Sequence, residues 1–186
     1  MAFLEQFSDQ EKELLVSLPY KAGLWVSMAD NVGGESADEK EKEALAQIVD
    51  EKGKGMFESA FVHEVMSETC TRKQEWAQWE AGVHTVLQDL DKAMSLIRGK
   101  LQEKDCDAYG SNIMAIGVKI AEAFREFDAD ASVMVKLNTQ IRLFLEAMTR
   151  VLKRDKSIKT ETALNISYEE DKALSELYKA LYKDAA

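Results

Sequence analysis

The chain of 186 residues has one proline and nine glycines, where average usage would give roughly nine and roughly thirteen. A chain so poor in breakers, yet 46% hydrophobic and 31% charged, excludes collagen-like and low-complexity disordered classes and reads as mainly helical. Cysteine is scarce too. Cys70 and Cys106 lie far apart, with no CxxC and no histidine spaced as a zinc partner, so no redox motif or zinc site is supported. A single long-range disulfide remains chemically open; two unpaired thiols in a reducing cytosol is the simpler reading. Basic residues are outnumbered 24 to 34, leaving a net charge of −10. That balance argues against nucleic acid as a partner, because phosphates require a basic footprint. No apolar run approaches the ~20 residues of a membrane span. Met1 to Glu5 lack a basic n-region and an apolar h-region, so no signal peptide is expected and a cytoplasmic location is.

Helix starts are the clearest positive signals. Ser8 with Glu11, Ser36 with Glu39 and Ser167 with Glu170 each form the S-x-x-E capping box, which satisfies two orphan backbone donors. The first box opens a short helix from Asp9 to about Ser17. Pro19 is tolerated at the first helical position but not deep inside, so a second helix is expected from Pro19 to about Ala29. Its residues Ala22, Leu24, Trp25, Val26, Met28 and Ala29 are apolar nearly all round, as a buried central helix requires. The second box opens a helix to about Lys52 with Ala44, Leu45, Ile48 and Val49 inside, and the next carries Phe57, Phe61 and Val65. From Trp76 through Trp79, Val83, Leu87, Leu90, Met94, Ile97 and Leu101 the apolar stripe recurs at threes and fours. That pattern predicts a helix of ~30 residues, ~45 Å long, with a kink or break admitted at Gly82 or Gly99. Such a length invites self-association, although Trp76 and Trp79 on one face read first as core.

A further helix carries Ile113, Met114, Ile116, Gly117, Ile120 and Phe124, and another runs from Asp130 to Leu152. The last presents Leu174, Leu177, Tyr178 and Leu181. The expectation is therefore an all-α fold of about seven or eight helices: a bundle over 1–153, with 154–186 a linker and a C-terminal helix packing on the same domain. Pro19 to Val49 and Asn112 to Leu145 both read as apolar helix, acidic loop, amphipathic helix. Hairpin duplication explains the echo, and so do two unrelated amphipathic hairpins.

Catalytic and metal motifs are scarce because there are two histidines. Glu-x-x-His fails at both, since Ala60 and Ala81 stand three residues before His63 and His84, and no HExxH exists. Glu80 and His84 read as an ordinary surface pair. No GxGxxG, Walker or GxSxG pattern is present, so nothing proposes an enzyme. The acidic turn after Ala29 is oxygen-rich, which suits Ca²⁺ or Mg²⁺, though neither it nor Asp128-Ala129-Asp130 fits an EF-hand loop. As helix caps the same carboxylates favour the N-terminal dipole and need no cation.

The run Gly23-Leu24-Trp25-Val26-Ser27-Met28-Ala29-Asp30, then Gly33-Gly34-Glu35-Ser36-Ala37-Asp38-Glu39, resembles the tellurite-resistance TerB-like family. Ala29-Asp30 and Ser36-Ala37-Asp38-Glu39 carry the match; Asn31 stands where the family has Gly, and the turn is longer. The resemblance covers about a fifth of the chain. It implies an all-helical, non-enzymatic cytosolic protein linked to stress or metal-anion resistance, with acidic residues binding a divalent cation. Asp30 and Glu39 match by position, and a cation held at this turn would draw on Asp30, Glu35, Asp38 and Glu39. The alternative is a structural or adaptor bundle that works through protein contacts without metal. A small-molecule pocket lined by Trp25, Met28 and Phe61 is a third reading.

Overall fold

The computed structural model describes residues 2–29, 35–53, 59–125 and 168–182. Among the described residues there are seven α-helices, three short 3₁₀ turns and no strand: α1 (Asp9–Ser27), α2 (Glu35–Gly53), α3 (Ala60–Thr71), α4 (Trp76–Glu80), α5 (Val86–Lys100), α6 (Glu103–Arg125) and α7 (Tyr168–Tyr182). The fold is all-α, as the composition requires. No helix among the described residues is long and apolar enough to cross a membrane. The helix expected from Asp130 to Leu152 and the linker after it lie outside the described residues, as does the second hairpin of the sequence echo beyond Arg125.

Helix α1 opens on the predicted capping box. Ser8 Oγ accepts from the Glu11 N–H at 3.4 Å, and the Glu11 carboxylate accepts from the Ser8 N–H at 2.7 Å. The helix does not stop at Pro19, however. It runs without interruption from Asp9 to Ser27, and every residue from Leu15 to Leu24 is buried. The two-helix expectation is thus corrected, and the physical reason lies in three carbonyls. Pro19 has no N–H to offer the Leu15 carbonyl four residues back, which in a buried helix would leave an orphan acceptor. Tyr109 Oη, from α6, donates to that carbonyl at 2.9 Å. Its neighbours are served in the same way: Thr69 Oγ1 of α3 donates to Val16 O at 2.7 Å, and Ser17 Oγ to Leu14 O at 3.3 Å. The Tyr109 hydroxyl thus replaces the one hydrogen bond that Pro19 cannot make, with two further hydroxyls on the adjoining carbonyls, and the helix continues.

Helices α1 and α6 form the centre of the bundle and run parallel. Leu15 faces Tyr109, 94 residues on; further along, Gly23 lies beside Ile116 and Ile120, and Val26 beside Gly117. Two glycines permit this approach. A Cβ on Gly23 would stand 2.4 Å from Leu45 Cδ1 of α2 and 3.1 Å from Ile116 Cγ2; one on Gly117 would stand 3.0 Å from Leu174 Cδ2 of α7 and 3.4 Å from Val26 Cγ2. Thus α2 closes on the central pair at Gly23 and α7 closes on it at Gly117. Helix α7 spans Tyr168–Tyr182 and buries Leu174, Leu177 and Leu181; Ser167, the cap expected for it, lies outside the described residues. Helix α3 packs on α1, α2 and α6, and α5 packs on α1, α6 and α7.

The long helix expected from Trp76 is not one helix. A 3₁₀ turn (Lys73–Glu75), the five-residue α4, a second 3₁₀ turn (Val83–Thr85) and then α5 replace it. The break falls at Gly82, where the backbone lies against the Lys21 side chain: a Cβ there would meet Lys21 Cε and Nζ at 3.3 Å. With the break at this point, α4 and α5 both pack on α1. Trp76, Trp79, Leu90, Met94 and Ile97 are buried in the chain's own core, with Val83, Leu87 and Leu101 half-buried against it. Helix α5 is about 22 Å long. The argument for self-association from excess helix length therefore falls away.

Candidate functional site

The acidic turn follows the C-terminus of α1. Met28 closes that helix with its N–H on Leu24 O, the Ala29 N–H follows on Val26 O, and no basic residue stands in the last turn. Asp30 lies outside the described residues, as do 31–34. Glu35, Asp38 and Glu39 fall in the opening turns of α2, although their side chains are not among those described. Their spacing of i, i+3 and i+4 assigns the three positions to one helix face. Helix α2 begins at Glu35, ahead of the position that would make Ser36 its cap, so Ser36 lies inside the first turn. Among the described residues, no group of three or more His, Cys, Asp or Glu is placed to hold a metal ion.

The remaining candidates are dispersed. His63 is exposed on α3 and His84 is exposed in the 3₁₀ turn Val83–Thr85. The expected Glu80–His84 pair has no continuous helix to support it, since α4 ends at Glu80; the Glu80 carboxylate instead accepts from Tyr20 Oη at 3.0 Å and Lys42 Nζ at 2.7 Å. Neither cysteine is in a disulfide. Burial pushes the Cys106 thiol up from its ordinary pKa, with Asp107 and Glu103 adding to burial and Arg98 opposing it. A protonated, buried thiol is a poor nucleophile. The third reading fails on geometry. Phe61 is buried among Phe3, Phe7 and Tyr109 near the start of α1, with ring centroids 6.3, 6.0 and 5.9 Å away, whereas Trp25 and Met28 sit at its far end. The three do not line one pocket.

Sequence reasoning missed a belt of polar latches that fastens α4 and its flanking turns to α1 and α2. At its centre Tyr20 stacks on Trp76 at 4.4 Å between centroids, with Trp79 tilted at 6.4 Å. Each indole N–H finds an acceptor: Trp76 Nε1 donates to Thr69 O at 3.0 Å and Trp79 Nε1 to Glu13 Oε1 at 2.7 Å. Arg72 pairs with both Glu13 and Glu75 and lies over the Trp79 ring at 5.4 Å. Lys73 pairs with Asp50 and lies over Trp76 at 5.8 Å. The Glu75 hydrogen bond, with Glu13 behind it, raises the Arg72 pKa further above its ordinary value. Burial, then the Glu80 carboxylate, raises that of Tyr20.

Beside the belt, Lys21 of α1 reaches Asp89 of α5 at 3.2 Å, and both side chains are nearly buried. Burial works against the Asp89 carboxylate, but Thr85 Oγ1 at 2.7 Å and the Lys21 ammonium outweigh it and hold its pKa below the ordinary value. These charged groups are fixed against one another between helices and clamp the bundle. Glu13, Tyr20 and Lys21 of α1 stand 59 to 68 residues from their partners Arg72, Trp79, Glu80 and Asp89, beyond the reach of any local spacing rule. Compared with known proteins, the chain matches no family model, no curated protein and no solved structure.

Proposed function

We propose that this chain is a non-enzymatic, cytoplasmic helical protein of TerB-like type, acting in stress or tellurite resistance, whose working element is the acidic turn between α1 and α2. Asp30, Glu35, Asp38 and Glu39 hold one divalent cation there, Ca²⁺ or Mg²⁺ by the hardness of the donors. The observation that supports this reading is the span of α2 from Glu35, which puts positions 35, 38 and 39 in one helix at i, i+3 and i+4. The end of α1 adds to it, since the negative end of that helix dipole has no basic side chain in its last turn.

A second reading, an adaptor bundle that binds a protein partner and no metal, draws on Met28. That residue is 54% exposed at the end of α1. Calorimetric titration of Ca²⁺ and Mg²⁺ into the wild-type chain and Asp30→Ala separates the two. The cation reading requires saturable heat that the variant loses. Absent heat, or heat unchanged in the variant, removes the site and leaves the adaptor.

A further inference from the structure

We draw no further inference here: the strongest candidate, the buried side-chain amide of Asn112 on α6, is a single donor without a hydrogen-bond partner, and nothing among the described residues shows what covers it.

Discussion

Substituting Tyr109 by Phe tests why α1 continues through its proline. The change keeps the ring that packs between Phe61 and α1 and removes one hydroxyl. Its 2.9 Å hydrogen bond serves the Leu15 carbonyl, which is buried and, because of Pro19, has no intrahelical donor. Leaving a buried acceptor unsatisfied costs about 1–3 kcal/mol. The same substitution in a Pro19→Ala background should cost less. The alanine introduced there supplies the missing N–H to Leu15 O, so the hydroxyl is then one of two donors and its loss costs only the net value of a hydrogen bond, about 0.5–1.5 kcal/mol. The two sites are therefore coupled by roughly 1 kcal/mol, measurable as a double-mutant cycle by urea unfolding followed at 222 nm. Burial already makes ionisation of Tyr109 unfavourable, so no charge change confuses the comparison at neutral pH. An equal cost of Tyr109→Phe in both backgrounds would refute the reasoning.

Three further outcomes follow from the packing. Gly23→Ala should destabilise by about 1–3 kcal/mol, because the buried Leu45 and Ile116 must move, whereas Gly99→Ala meets nothing within 4 Å and should stabilise by about 0.5–1 kcal/mol; unfolding midpoints that rank the two the other way reject the close approach of α1, α2 and α6. The depressed Asp89 pKa contributes stability that is present above the unfolded value of 3.8 and lost as pH falls through the lower folded value. Asp89→Asn should accordingly destabilise the chain at neutral pH, and the gap from wild type should close in acid below that range; a melting-temperature gap that stays constant with pH contradicts the clamp. Glu13→Ala removes the acceptor shared by Trp79 Nε1 and Arg72 and should cost about 1–3 kcal/mol with a change in tryptophan fluorescence, whereas unchanged stability and emission would show that the latch contributes nothing.

What could be read from the residues was what local chemistry decides. The Ser8–Glu11 box, the all-round apolar character of the segment after Pro19 and the core role of Trp76 and Trp79 all depend on neighbours within a few positions. The continuity of α1 could not be read, because the hydroxyl that rescues Leu15 O comes from a residue 94 positions away. The break was legible as admitted at Gly82 or Gly99; that it falls at Gly82, where the backbone lies against the Lys21 side chain of another helix, was not. Phe61 separated from Trp25 and Met28 for a related reason, since spacing along the chain does not say which end of α1 a later helix will meet. At the acidic turn, composition picked out the carboxylates and the start of α2 assigned three of their positions to one face.

The most direct test of the proposed cation site is the thermal stability of the full chain with Ca²⁺ or Mg²⁺ and with chelator, in wild type and Asp30→Ala. Monovalent salt must be matched, because screening alone stabilises a chain of net charge −10. A bound cation stabilises by RT ln(1 + [L]/Kd), about 2.7 kcal/mol at a hundredfold excess over Kd. For a chain of this size that is a rise of roughly 5–11 °C in Tm. The account predicts that rise in wild type, its reversal by chelator and its loss in Asp30→Ala. A Tm that does not move beyond the salt-matched control, or that moves equally in the variant, contradicts it.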